Sequence, residues 1–195
     1  MDFPGDQWAV ILGGSSGFGL ATARKLARHG LHLFLVHRDR RGAMRAIEPA
    51  FAELRALGPR VVTLNADALD AKARAQALAR LAEEMGAGGR VRVLLHSIAF
   101  GNLKLVAPAA PRAAVALPAL ASALGIEPER LSGAVDALFA DGCDELAALA
   151  SPPEYPQRAF LDDEDFARTI YSMGTSLLTW TQDLHARGLF AADAR

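Results

Sequence analysis

Short, mainly apolar runs alternate along the first half of the chain with longer segments whose apolar residues recur every three or four positions. The short runs predict buried strands and the longer segments predict amphipathic helices. The predicted strands are 8–12, 31–36, 60–64 and 91–96, and the predicted helices between them are 17–29, 41–57 and 70–85. Strands that alternate with helices indicate an α/β fold with a parallel sheet covered on both faces. Right-handed crossovers then predict the strand order 3-2-1-4 of a doubly wound, Rossmann-type sheet.

The alternation of apolar strands and amphipathic helices stops after the fourth predicted strand. Residues 103–161 contain most of the prolines, but the apolar residues between them keep helical spacing in 118–125 and 128–150. This stretch is therefore interpreted as a helical insertion rather than a linker. Residues 162–187 predict one long helix, because four acidic residues at its start suit the positive end of the helix dipole and Gly188 follows its end.

Composition and charge argue against several classes of function. Hydrophobic residues make up 51% of the 195 positions and the formal net charge is −1, which argues against a protein that binds nucleic acid or anionic membranes. No apolar run approaches the ~18 residues of a membrane span, and the start has no signal-peptide pattern. The single cysteine, Cys143, excludes an internal disulfide and fits a cytoplasmic location; we expect it to be a small packed residue in a helix. No spacing of His, Cys or Asp suggests a metal site.

A glycine loop joins the first strand to the first helix. Gly13, Gly17 and Gly19 lie where a backbone must turn tightly, and the N–H groups of a helix N-terminus favour an anion such as pyrophosphate. The alternative is a tight turn without a ligand.

Four segments resemble the short-chain dehydrogenase/reductase family, over residues 8–101 and 162–190. The spacing Gly13-x3-Gly17-x-Gly19 resembles the glycine spacing of the family's T-G-x3-G-x-G loop, and Asp67 matches its adenine-contacting aspartate. The sequence HSIAF at 96–100 is similar to the enoyl-acyl-carrier-protein reductase branch, and SLLTWTQDLHARGLF matches the family's long helix before the fifth strand.

The resemblance implies a set of cofactor-binding residues. The pyrophosphate side would be held by Gly13, Ser15, Ser16, Gly17, Phe18 and Gly19. The adenosine end would lie at His37, Arg38, Asp67 and Ala68, and the ribose and nicotinamide edge at Ser97, Ile98 and Ala99.

The residues after the second strand favour NADP(H) over NAD(H). His37 stands where an NAD-selecting acid is expected, and Arg38 follows it and can accommodate a 2′-phosphate. Asp39 complicates this interpretation, but its side chain is expected to point away if Arg38 faces the cofactor. The alternative is that HRDRR is a solvated charged turn.

The catalytic tyrosine and lysine of the family have no match. The family needs a lysine three or four positions after the tyrosine, or at Y-x6-K spacing in the enoyl reductase branch. No lysine follows Tyr155 or Tyr171, so no catalytic residue is predicted within 1–195. Tyr171 is expected to be a packed helix residue and Tyr155 a loop anchor. His96 either contacts the cofactor or is a satisfied strand-end histidine.

These observations predict a single incomplete Rossmann domain over 1–195, with the insertion at 103–161. The family's sheet has six or seven strands, so a missing C-terminal segment or a second chain would complete it, and we expect an oligomer. The insertion would be a lid, an acyl-chain pocket or an oligomer contact. The predicted function is NADPH-dependent reduction of an enoyl thioester or a related carbonyl substrate. Two alternatives remain: a ketoacyl or alcohol dehydrogenase, and a non-catalytic nucleotide-binding or assembly subunit.

Overall fold

The structure is a computed structural model. It describes residues 3–102, 104–106, 113–141, 143, 146, 149–150 and 160–195. The chain divides into two compact units, one formed by Met1–Asn102 with Glu164–Arg195 and the other by Leu103–Asp163.

Four parallel strands form the sheet of the first unit. They are β1 (Gln7–Leu12), β2 (His32–His37), β3 (Val61–Asn65) and β4 (Arg90–His96). Their order is β3-β2-β1-β4, which confirms the predicted doubly wound α/β arrangement. Each strand lies within one residue of its predicted bounds, because a mainly apolar segment between polar turns is readily delimited by its pattern.

Helices cover both faces of the sheet. The helices α1 (Gly17–Ala27) and α2 (Met44–Ala56) pack against one face of the sheet, and α3 (Ala71–Met85) packs against the other. The last helix of the unit, described below, packs on the same face as α3. Alternate side chains of β1 enter the two cores: Trp8, Val10 and Leu12 on the α3 side, and Ala9 and Ile11 on the α1 side. The central strands are therefore buried on both faces, as a parallel sheet requires.

The second unit contains α4 (Ala113–Leu124) and α5 (Pro128–Ala140). The helix predicted over 128–150 ends at Ala140, where a turn begins. Cys143 lies beyond that helix and is exposed, so the expectation of a packed helical cysteine was wrong. The apolar spacing that suggested a longer helix continues past Ala140, but spacing alone does not mark where a helix ends.

The long helix predicted over 162–187 is present, but it is not uniform. It consists of α6 (Asp163–Ile170), a π-helical turn (Tyr171–Thr175) and α7 (Ser176–Ala186). A π-turn adds a residue to the helical repeat and so changes which side chains share a face, a feature that is frequent near functional sites.

The outer edge of β4 is partly paired by residues 189–195. Val91 donates its N–H to the Leu189 carbonyl at 2.8 Å, and Ala191 donates back to Val91 at 2.9 Å. Further along, Arg195 donates to the Arg92 carbonyl. Residues 189–195 thus run beside β4 in parallel, although the side chains of 92–96 remain only half-buried.

Candidate functional site

The glycine loop after β1 is closely packed at two positions. A Cβ on Gly13, whose φ is +88°, would collide with the carbonyl oxygen of Ser97, and a Cβ on Gly19 would collide with the carbonyl oxygen of Gly13. The loop is also tied to the next strand, because Gly13 donates to the Val36 carbonyl at 2.8 Å. Only glycine permits this close approach of β1, β4 and α1.

Gly17 and the start of α1 face open space. Gly17 has φ +52°, and a side chain there would meet nothing within 4 Å. The N-cap Ser16 makes no side-chain cap, and the first turn contains no acidic residue. The first N–H groups of a helix lack intrahelical acceptors, so this end presents donors and a positive dipole without a competing carboxylate. Phe18 projects from the same turn and is 88% exposed.

A cavity of about 370 Å³ lies at the carboxyl ends of the strands. This is the edge at which open α/β sheets bind ligands. All the predicted cofactor-binding residues except Gly19 line it: Gly13, Ser15, Ser16, Gly17, Phe18, His37, Arg38, Asp67, Ala68, Ser97, Ile98 and Ala99. Gly19 is buried behind the loop, where it permits the contact with Gly13.

Five lining residues were not predicted. They are Val36, Asp39, Ala66, Leu69 and Phe100. All of them adjoin predicted positions at the ends of β2, β3 and β4. The signal that could have found them is their place at the carboxyl ends of parallel strands, which meet at one edge.

Two hydrogen-bonded pairs lie beside the cavity, after the ends of β2 and β3. Arg38 Nη1 donates to Asp67 Oδ2 at 2.7 Å, and the Arg38 guanidinium lies 4.6 Å from the ring centroid of Phe100. The ring N–H of the buried His37 donates from Nδ1 to Asp39 Oδ2 at 2.8 Å. Asp39 and Arg38 both line the cavity. The Asp39 carboxylate is bonded to the buried ring of His37, and the expectation that this side chain points away from the cofactor stays a prediction.

The helix from α6 to α7 holds the loops that carry these residues. Tyr171 donates its hydroxyl to the Leu69 carbonyl at 3.2 Å, and Trp180 donates Nε1 to the Ala68 carbonyl at 2.9 Å. Ser172 donates its hydroxyl to the carbonyl of Phe100. One helix therefore positions both the loop after β3 and the loop after β4.

His96 is a satisfied strand-end histidine and does not line the cavity. Its Nε2 lies 2.8 Å from Oγ of Ser176, which in turn donates to the Ser172 carbonyl. Burial lowers the pKa of His96 below its usual 6.5, so the neutral ring is favoured in the folded chain.

We also considered tyrosine chemistry and metal binding in the part of the chain that the structure describes. Tyr171 serves as a packed helix residue through its bond to Leu69, whereas Tyr155 lies outside the described residues. Among the described side chains, no group of three His, Cys, Asp or Glu could hold a metal ion. The described helices include none with the length and apolar character needed to cross a membrane.

Comparison with known proteins identifies the family. The sequence profile of the family described as short chain dehydrogenase matches residues 7–111, which is more than half of the chain. The chain belongs to this family. The matched stretch of this short-chain dehydrogenase includes all four strands and every residue of the cavity lining.

Individual relatives agree with the family assignment. An uncharacterized oxidoreductase of the mprA 5′ region of Streptomyces coelicolor is 49% identical over 61 residues, which cover 31% of this chain and 23% of that protein. A 3-oxoacyl-[acyl-carrier protein] reductase from Brucella melitensis has a TM-score of 0.55 at 17% identity, covering 99% of this chain and 54% of its own. An NAD⁺-bound xylitol dehydrogenase has a TM-score of 0.54 at 16% identity, covering 97% and 52%. These two likenesses concern the fold. The chain spans about half the length of both structures and about a quarter of the curated relative.

Proposed function

We propose that this short-chain dehydrogenase binds a nicotinamide adenine dinucleotide in the cavity at the carboxyl ends of its strands. The observation that carries the proposal is the meeting of the glycine loop, the α1 N-terminus and Arg38 around one opening. The pyrophosphate would lie against residues 13–19, where N–H donors face open space. Asp67 and Ala68 would flank the adenine, and residues 97–99 would contact the ribose and the nicotinamide edge.

The charges around the adenosine side support NADP(H) over NAD(H). Arg38 is half-exposed at the cavity and presents a cation where a 2′-phosphate would arrive. The two nearby carboxylates are each bonded to a donor, Asp67 to Arg38 and Asp39 to His37. A carboxylate that is bonded to a donor repels a 2′-phosphate less strongly than a free carboxylate in the NAD-selecting position would.

The proposed activity is that of an oxidoreductase in which this chain supplies the cofactor half. The hydride chemistry belongs to the cofactor, and the chain would bind and orient it. The substrate we propose is an enoyl thioester or a related small carbonyl compound, on the strength of the HSIAF segment at 96–100. A ketoacyl thioester or an alcohol is the alternative. The catalytic groups and the remaining strands would come from a further segment or a second chain in an oligomer, with residues 103–161 inserted in a single domain.

A non-catalytic nucleotide-binding or assembly role is the second candidate. It is supported by the engagement of the one described tyrosine, Tyr171, with the Leu69 carbonyl and by the absence of a lysine after it in the sequence. The protein would then bind the dinucleotide without turnover. Incubation of the completed protein, with the further segment or second chain present, with NADPH and either a crotonyl or an acetoacetyl thioester separates the three candidates by which thioester, if any, is reduced.

Calorimetric titration with NADPH and NADH tests the cofactor proposal directly. Arg38→Gln should weaken NADPH binding about tenfold and leave NADH binding within about twofold, because it removes a charge-assisted contact made only by the 2′-phosphate. Arg45→Gln is the matched control, since Arg45 is exposed at the start of α2 and does not line the cavity. Equal losses for both nucleotides, or tighter NADH binding by the unmodified protein, would contradict the assignment.

A further inference from the structure

Three loops meet at the mouth of the cavity through Arg38, Asp67 and Phe100. Arg38 follows β2, Asp67 follows β3 and Phe100 follows β4, so each strand end contributes one member. The guanidinium of Arg38 donates to the Asp67 carboxylate at 2.7 Å and lies over the ring of Phe100 at 4.6 Å. We call these three residues the mouth cluster.

Two further hydrogen bonds fix the Asp67 and Phe100 members of the mouth cluster. Asp67 Oδ1 accepts the N–H of Leu69 at 2.9 Å, which orients the carboxylate so that Oδ2 is the atom left for Arg38. The Phe100 carbonyl accepts the Ser172 hydroxyl, which ties the other side of the guanidinium to the π-turn. Asp67 and Phe100 thus orient the Arg38 guanidinium, and one of these two residues, Asp67, is itself an anion.

We propose that Asp67 is a specificity-determining residue that limits the preference for 2′-phosphorylated dinucleotides by competing for Arg38. A 2′-phosphate and the Asp67 carboxylate are both anions that accept hydrogen bonds from a guanidinium. The phosphate must therefore share the Arg38 guanidinium with the carboxylate or displace the carboxylate from it. A dinucleotide with a free 2′-hydroxyl meets no such competition. The proposal rests on the proposed function, in which Arg38 reads the 2′-position.

Asp67→Asn isolates this effect. The amide oxygen can still accept from Leu69, so the loop keeps its local hydrogen bond while the competing charge is removed. Any loss of adenine contact weakens both nucleotides alike and cancels in the ratio of their dissociation constants. We expect Kd(NADH)/Kd(NADPH) to rise about fivefold, which is the scale of an exposed ion pair.

The matched control is Glu48→Gln. It makes the same change of charge and breaks an ion pair of similar exposure, Arg55 NH1 to Glu48 Oε1 at 2.6 Å, which lies outside the cavity. The ratio should not move in this variant. Circular dichroism and a thermal melt of each variant confirm that the fold is retained before titration.

The double variant Arg38→Gln/Asp67→Asn tests whether Asp67 acts through Arg38. The proposal requires that removing Asp67 no longer changes the ratio once Arg38 is absent. An unchanged or lower ratio in Asp67→Asn overturns the inference, and so does an equal rise in both backgrounds, which would mean direct repulsion of the phosphate. If Arg38→Gln alone leaves NADPH binding unchanged, the proposed role of Arg38 fails instead.

Discussion

Trp180 connects the stability of the first unit to the shape of the cavity. Its side chain is fully buried on the α3 side of the sheet, and Nε1 donates to the carbonyl of Ala68 at 2.9 Å. Ala68 is itself buried and follows Asp67 in the loop after β3. Trp180→Phe would therefore remove the donor that the Ala68 carbonyl depends on and leave a void where the larger ring was.

Both losses can be given a magnitude. A buried carbonyl left without its partner costs about 1–2 kcal/mol. Replacing the indole by a phenyl ring in a packed core adds roughly 1–2 kcal/mol, because the surroundings only partly close the space. We expect the free energy of unfolding to fall by about 3 kcal/mol. NADPH binding should weaken about threefold or more, because the loop that carries Asp67 loses a fixed point.

Urea unfolding followed by the fluorescence of Trp8 measures the first quantity. Trp8 is the other tryptophan of the chain, is buried in the same core and remains present in the variant. A loss of 3 kcal/mol corresponds to a midpoint shift of about 1–2 M urea at a typical slope. Thr181→Ala is the control on the next position of α7, where the hydroxyl only bonds back to the Leu177 carbonyl. We expect it to stay within about 0.5 kcal/mol of the unmodified chain. A Trp180→Phe variant with unchanged stability and unchanged NADPH affinity would refute the coupling.

Two further predictions concern the glycine loop and the strand-end histidine. Gly13→Ala should lower the thermal melting temperature by several degrees, since its Cβ would strike the Ser97 carbonyl, whereas Gly5→Ala, in open space, should not. His96 has a lowered pKa, so its stabilising effect is complete above pH 6.5 and declines as pH falls toward its folded-state pKa. His96→Asn should flatten the decline in stability between pH 6.5 and 5, and an equally steep decline in the variant would contradict the sign.

The sheet was predictable because its signal is local and repeated. Each strand is a short, mainly apolar segment between polar turns, and handedness then leaves few ways to order the strands. The helix bounds were less certain, as α5 shows by ending at Ala140 while the apolar spacing continues. The π-turn at Tyr171–Thr175 has no comparable local pattern in its residues.

The candidate site was predictable in its positions and less so in its contacts. The residues that line the cavity follow from the carboxyl ends of the strands, where the loops after β1, β2, β3 and β4 must meet. The hydrogen-bond partners of those residues could not be predicted from the sequence. The hydrogen bond between Asp39 and His37, for example, is not indicated by any pattern in the sequence.

The amino-acid sequence by itself determined the strands, their order, the glycine loop and the residues that the strand ends bring to one edge. These features depend on hydrophobic period and backbone freedom, which act over a few neighbouring positions. Only the tertiary structure decided that Arg38 lies on Asp67 and Phe100, and that Trp180 supports Ala68 across 112 positions. Such contacts depend on the distance and direction of side chains after the helices have packed, and no local pattern in the chain encodes them.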